Sequence, residues 1–491
     1  MVSNIPDNIV APLLAFDVES GGQFSSQLNA ILIGFGTGDG ALGEGEISIC
    51  STFNDARRLA GAGSMLESMF IRARQNAPAQ VLYIGRVADT GTAEVRTITV
   101  GAVPATGGTG VVQVAGETVS IDIAAGDSAN AVAEALAAAI NGYFNALTKK
   151  SLPFTAVAAA NVVTLTARHK GLYAGKLDLY VPLIDGDNAL TGVLTFATTV
   201  AGAGTPDVST VLAALGDDPF EIIISGFGDT ANLSTYKTFL EGRWGYSQQL
   251  YGHVFYPYTG TDSALTTFAK AKDTWHLTMV PLPANGGMAT PDYEFCTAMI
   301  MRTAAMLNSG SDGRVSANQS GLTVAGVLAP RDRNYWPDYA TRNAWLQNSV
   351  SSWKIDNSGD VVTDKIITQQ QTTNGAPDTV FRDIQAVYQV IYALKYFRAQ
   401  LAYEFSNKAI VDDNPASLES LVTVKNIKAC LVHSTIDLAN RGVLEYNSDV
   451  VSQIKVTRNA DNPNKVDIVL PMDRANPLDI FAGLARVYAQ I

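Results

Sequence analysis

The stretch Asn29-Ala-Ile-Leu-Ile-Gly-Phe35 is a continuous apolar run with no alternation, which is the signature of a strand buried on both faces. Working outward, Ile47 to Cys50 gives a second short strand, and Ser64-Met-Leu-Glu67 is a capping-box pattern opening a helix through Gln75, stopped before Pro78. Val81 to Val87 is another buried strand, so the opening unit is α/β. Beyond Pro206 the same rhythm returns. Asp207 to Leu215 reads as helix, Glu221 to Ser225 as strand, Asn232 to Arg243 as helix and Gly252 to Tyr258 as strand. Ser263 to Lys272 (helix), Trp275 to Pro281 (strand) and Pro291 to Asn308 (helix) continue the series. Strands alternating with helices of this length predict a sheet covered by helices.

Between these halves the texture changes to Gly, Thr, Ala and Val in alternation. Val111 to Val114 and Thr118 to Ile123 flank an Ala-Gly-Glu turn, and Phe154 to Ala158 and Val162 to Ala167 turn near Ala160-Asn161. Both are hairpin signals. Between them, Asp127 or Ser128 caps a helix carrying Val132, Leu136 and Ile140. The fold class expected is an α/β (α+β) core whose sheet is flanked by helices, with an inserted β-rich domain. The arms at the two ends are expected to be extended. In residues, this is an N-terminal arm over 1–22, core over 23–88, insertion over 89–204 and core again over 205–378. A C-terminal core domain over 379–479 contributes a long helix through Phe405, a helix from Val422 to Arg441 ended by Gly442, and a hairpin of Ile454 to Arg458 with Val466 to Leu470. The arm at 480–491 is ambiguous. Ile480, Leu484, Val487 and Ile491 suit a helix, whereas Ala485, Val487, Ala489 and Ile491 alternate as in a strand.

Composition narrows the function. At 491 residues, two to four domains are expected, and 47% hydrophobic against 16% charged residues suggests that much of the surface is covered by partner subunits. The net charge of −12 disfavours direct binding to nucleic acid or anionic membrane. Basic doublets such as Arg57/Arg58, Lys149/Lys150 and Arg331/Arg333 read as solvated faces or subunit contacts. Cys50, Cys296 and Cys430 are far apart and read as buried thiols in a reducing compartment. Met1 to Phe16 lacks a basic leader and no membrane-length apolar run occurs, so assembly in the cytoplasm is expected.

Three glycine-rich or acidic stretches imitate ligand sites. Gly36-Thr-Gly-Asp-Gly40-Ala41 fits a loose dinucleotide fingerprint but leads into a strand where a helix N-terminus is needed. Gly171-Leu-Tyr-Ala-Gly175-Lys176 is one residue short of a P-loop, with Leu177 where a hydroxyl belongs. Asp185-Gly-Asp187-Asn188 lacks the glutamate that completes a calcium loop and reads as a turn. His169, His253, His276 and His433 show no zinc spacing. No cofactor, metal or catalytic residue is expected, and the chain is not read as an enzyme.

Several stretches resemble the tail sheath family of Mu-like contractile phages. They are Ile9-Val-Ala-Pro12-Leu-Leu-Ala-Phe16-Asp17, Gly204-Thr-Pro-Asp207-Val, Ala329-Pro-Arg-Asp-Arg-Asn-Tyr-Trp-Pro337 with Arg342-Asn343, Asp356-Asn-Ser-Gly-Asp360, Lys365-Ile-Ile-Thr368-Gln, Asn374-Gly-Ala-Pro377-Asp378, and Leu470-Pro-Met-Asp473 with Asn476-Pro-Leu478 and Phe481-Ala-Gly-Leu484. The likeness spans nearly the whole chain in order. The arm lacks the Pro-Gly and tyrosine common in sheath arms, and Ala402 to Pro415 follows no family pattern. The resemblance implies a virion subunit that assembles with copies of itself as hexameric rings in a helical polymer. Its other partners would be a tail tube protein and baseplate and tail terminator proteins, and contraction would drive the tube through an envelope. It also implies that Leu13, Leu14, Ala15, Phe16, Asp17 and Val18 of the N-arm, and Phe481, Leu484, Ala485, Val487, Ala489 and Ile491 of the C-arm, are strands donated to neighbouring subunits. The helix bearing Lys425, Lys428 and Arg441 is the expected tube-facing element. The alternatives are another tail component, tube or baseplate, or a dinucleotide-dependent α/β enzyme.

Overall fold

The computed structural model describes residues 28–103, 106–183, 188–308, 310 and 312–487. These residues fall into two compact units, one of 28–308, 314–391 and 476–487, the other of 310, 312–313 and 392–475. The N-arm residues Leu13 to Val18, and Ala489 and Ile491 of the C-arm, lie outside the described residues.

The first unit begins with β1 (Ala30–Phe35), in which every side chain is buried. β2 (Ile47–Ile49), α1 (Phe53–Ala60), α2 (Met65–Asn76) and β3 (Leu82–Val87) follow. Ser64 caps α2 by accepting from the Glu67 amide at 3.0 Å. The Glu67 carboxylate accepts from the Gly63 amide, so the reciprocal half of the expected capping box is shifted by one residue.

The chain then leaves the sheet for β4 (Ala93–Val100), β5 (Gly108–Val114), β6 (Glu117–Ile123), α3 (Ala129–Asn141), β7 (Phe154–Ala159), β8 (Val162–Lys170), β9 (Leu179–Tyr180) and β10 (Leu194–Val200). They build a four-stranded sheet of order β10-β4-β8-β7 and a three-stranded sheet of order β6-β5-β9. Both expected hairpins form. Ala115 and Gly116 turn the first at φ 50° and 81°, the twist-compatible geometry of a two-residue hairpin loop, and Ala160 turns the second at φ 50°. Ser128 caps α3, and Val132, Leu136 and Ile140 are buried on its inner face.

The return adds α4 (Ser209–Ala214), β11 (Ile222–Ser225), α5 (Thr230–Trp244), β12 (His253–Gly260), α6 (Asp262–Lys270), β13 (Leu277–Pro283) and α7 (Asp292–Leu307). The sheet has six strands in the order β13-β12-β11-β1-β3-β2. Its neighbours are parallel from β13 to β3, and β2 is antiparallel to β3. Helices cover both faces, as two glycines show. A Cβ on Gly34 would meet the Met65 sulfur of α2 at 3.1 Å, and one on Gly85 would meet Val211 of α4 at 2.7 Å. Gly34 is paired with Arg86, so Gly34 and Gly85 point to opposite faces. Burial on both sides is why these strands read as unbroken apolar runs.

Next come α8 (Tyr339–Gln347), β14 (Ser352–Ile355), β15 (Val361–Lys365), β16 (Thr372–Thr373), β17 (Ala376–Pro377) and the start of α9 (Ile384–Phe405). Trp353 is buried, its ring set edge-on to Phe295 at 5.1 Å and its indole N–H donating to the Pro281 carbonyl at 2.8 Å. Gln369 covers the outer edge of β13, its amide donating to Leu277 O at 3.0 Å.

In the second unit α9 continues from Tyr392, followed by β18 (Ala409–Ile410), β19 (Leu421–Val422), α10 (Val424–Asn440), α11 (Ser448–Ser452), β20 (Lys455–Arg458) and β21 (Val466–Val469). Thr423 and Asn426 form a capping box at the start of α10, and Gly442 follows it at φ 70°. β20 and β21 pair antiparallel as a two-stranded sheet.

Residues 476–487 form neither helix nor strand. The helical alternative is not realised, because a short segment carrying Gly483 and no buried face does not repay helix nucleation. A strand would need a partner strand to hydrogen-bond with.

Candidate assembly surfaces

The imitation ligand loops are consumed by packing. In the Gly36–Ala41 loop the amides of Thr37, Ala41 and Leu42 donate to the carbonyls of Ala60, Arg58 and Leu59 at 2.8, 2.9 and 2.9 Å. The N–H groups that would cradle a phosphate are thus spent on the C-terminal end of α1. A Cβ on Gly40 would lie 2.5 Å from Leu59 O, which explains the glycine by close approach. Lys176 of the P-loop-like stretch donates to the Asp292 carboxylate at 2.6 Å. Asn188 is buried and clasps β5, accepting from Val111 N and donating to Val111 O, both at 2.9 Å. Asp185 and Asp187 lie outside the described residues.

Among the described residues no group of three or more His, Cys, Asp or Glu is placed to hold a metal. No described helix is long and apolar enough to cross a membrane. His253 bonds Thr278 Oγ1 at 2.7 Å within the sheet, and His169 accepts the Met65 amide at 3.0 Å while stacking on Phe35. Cys50 and Cys296 are buried as expected, whereas Cys430 is half-buried. Burial pushes the Cys50 thiol up to about 12, which makes it a poor nucleophile.

Sequence reading missed the charge web that ties the inserted β domain to the core helices. Glu294 on α7 is contacted by Arg72 of α2 at 2.8 Å and by Lys150 of the insertion at 2.9 Å. Lys150 also faces Glu117 at 3.6 Å, and Glu117 accepts from Tyr143 and Asn145 at 2.8 and 2.9 Å. Burial alone would raise the Glu294 carboxyl, but Lys150 and then Arg72 outweigh it and hold it below the usual range. Lys150 therefore departs from the expected solvated doublet: it is buried because two carboxylates need its charge. Arg331 stays exposed, its guanidinium lying 3.4 Å over the Tyr180 ring and 3.1 Å from Asp178.

The four described C-arm residues predicted from the sequence are laid open. Phe481, Leu484 and Val487 are 86%, 80% and 93% exposed, and Ala485 is exposed as well. Leu478 and Ile480 extend the apolar row. On α10, Lys425 is exposed and Lys428, one turn on, is half-buried. Lys425 borders a groove of about 670 Å³ with Gln400, Glu404, Asp413, Asn426 and His433. Arg441 does not join them. It caps the far end of α10, donating to the Tyr392 hydroxyl at 3.2 Å and lying 4.9 Å over the Tyr396 ring.

No family model matches the chain. Over 501 residues it is 24% identical to the Mu-like prophage FluMu tail sheath protein of Haemophilus influenzae, covering 98% of each. A curated relative of this chain is a Mu-like tail sheath protein. The likeness runs end to end. Two solved structures are also similar. The sheath tail protein of Desulfitobacterium hafniense has a TM-score of 0.47 at 12% identity, covering 95% of this chain and 97% of that one. The sheath tail protein of Listeria innocua has a TM-score of 0.47 at 14% identity, covering 91% of this chain and 92% of that one.

Proposed function

We propose that the chain is a structural subunit of a contractile tail sheath in a virion, assembled in the host cytoplasm, with no catalytic activity. It polymerises as stacked hexameric rings around a tail tube, meets baseplate and terminator proteins at the ends of the stack, and contracts by rearrangement between subunits. The observation that carries this reading is the open apolar row of Leu478, Ile480, Phe481, Leu484 and Val487 on a segment with no regular structure. Side chains of this kind on a chain with unpaired backbone groups are what a donated strand needs: amides and carbonyls give affinity, and alternate side chains give register. A complementary acceptor is the β20–β21 hairpin, whose Ile468 and Val469 are 40% and 60% exposed. A two-stranded sheet is marginal alone and gains from added strands.

Contraction on this reading draws on interface energy. An extra ~200 Å² of apolar surface buried per subunit supplies about 5 kcal/mol, and hundreds of subunits acting in sequence do mechanical work without a nucleotide. The α/β body stays intact, the arms remain joined to their neighbours, and the residues at the arm roots absorb the rotation. α10 presents Lys425 and Lys428 to the tube. Electron microscopy of the purified full-length protein tests the assembly: rings or tubular polymers support it, and discrete particles under all conditions contradict it.

A further inference from the structure

Two of the stretches singled out in the sequence, Lys365-Ile-Ile and Asn476-Pro-Leu, meet in the folded unit. Lys365 ends β15, and its ammonium donates to the Asp479 carboxylate while lying 3.1 Å from Asp383 Oδ1. Beside it the Asn318 side-chain amide donates to the Leu478 carbonyl at 2.9 Å. The two contacts stand at a cavity of about 470 Å³ lined by Tyr339, Leu346 and Ile367, with Ile480 at its rim. Lys365 and Asp479 are 19% and 28% exposed, so the pair is partly screened from water. Pro477 keeps Asn476 extended on the approach. Leu478 is already 61% exposed, and past Asp479 Ile480 and Phe481 rise to 80% and 86%.

We infer that Lys365 is a positioning residue that clamps the root of the C-terminal segment at Asp479, so that Phe481, Leu484 and Val487 are offered to a second copy of this chain from a fixed point. The inference rests on the sheath reading and deepens it. A tethered strand reaches its acceptor at an effective concentration set by tether length, and each residue released from the core lengthens the tether and dilutes the strand. Asp383 holds the other side of the Lys365 ammonium, so the cation stays in place when the segment moves. The clamp is electrostatic and partly exposed, which makes it reversible, as a root that must swing during contraction requires.

The test uses the full chain with Asp479→Asn, Asp479→Glu and Lys365→Met, held below the concentration at which it assembles. Chymotryptic cleavage after Phe481 requires residues 478–481 to enter the protease cleft, so its rate reads release of the root. Asp479→Asn and Lys365→Met are expected to speed cleavage roughly threefold or more, with Asp479→Glu close to the parent. Salt at about 1 M is expected to speed cleavage of the parent and leave Asp479→Asn unchanged, because screening acts only on an intact pair. Above the assembly threshold, Asp479→Asn raises the critical concentration with an unaltered thermal melt. Equal cleavage rates in parent and Asp479→Asn would overturn the clamp. A parent that never polymerises would instead sink the sheath reading, and the cleavage comparison would still decide the clamp.

Discussion

Lys150 Nζ lies 2.9 Å from Glu294 Oε1, and the two side chains are 3% and 1% exposed. One belongs to the inserted β domain and the other to the core helix α7. The pair therefore fastens the insertion to the body at a point where neither charge can fall back on water. Lys150→Met leaves Glu117 with its Tyr143 and Asn145 donors, but Glu294 keeps only Arg72. Breaking one side of a buried pair costs about 3–5 kcal/mol, and the retained Arg72 contact places this variant toward the lower end. Urea unfolding read by tryptophan fluorescence checks it, with a shifted midpoint at unchanged slope as the expected result.

Acid should loosen the same unit through its buried histidines. Burial holds His169 neutral, with its pKa lowered to about 3, and His276 lowered to about 4, against an ordinary 6.5. Between these values the unfolded chain binds protons that the fold refuses, so stability is intact above 6.5 and falls as pH drops below it. For one such histidine the loss between pH 6.5 and 5 is about 2 kcal/mol. His169→Gln keeps an acceptor for the Met65 amide and removes the titration, so its stability should fall less between pH 7.5 and pH 5 than the parent's. Glu294 acts lower on the scale. Its carboxyl is held below 4.5, so its contribution is present above 4.5 and lost only as pH falls through the depressed value.

On α10, the double variant Lys425→Glu/Lys428→Glu changes charges at exposed and half-buried positions. Stability should move by no more than about 0.5 kcal/mol per site. Self-assembly should persist, and co-sedimentation with the tail tube should weaken and lose its salt dependence. Unchanged tube binding would remove α10 from the tube-facing role.

A chain ending at Asp479 should melt like the parent, because Phe481, Leu484 and Val487 bury little in the single subunit. It should remain soluble at concentrations where the parent polymerises, measured by light scattering. Normal polymerisation of the shortened chain would refute the arm mechanism.

The parts of the fold legible in the sequence are those with a continuous apolar run, a helical period or turn chemistry. β1, β11 and β12 show unbroken apolar runs because helices cover both faces of their sheet, and Ala160-Asn161 announces its hairpin because the turn needs φ 50°. Pairs β16–β17 and β18–β19 are two residues long and too short to carry a period. Lys150 looked solvated since its neighbour is Lys149, and nothing local shows that a carboxylate 144 positions away will need it. The C-terminal segment stayed ambiguous for a physical reason: the same apolar residues satisfy a helix and a strand.

The most direct measurement is a cryo-EM helical reconstruction of the assembled polymer at a resolution that traces the backbone. Residues 481–487 should run as a β-strand hydrogen-bonded to a sheet of another copy, leaving from a point where Lys365 still meets Asp479. A C-terminal segment that is helical, or folded back on its own subunit with no backbone pairing to a neighbour, would contradict the account.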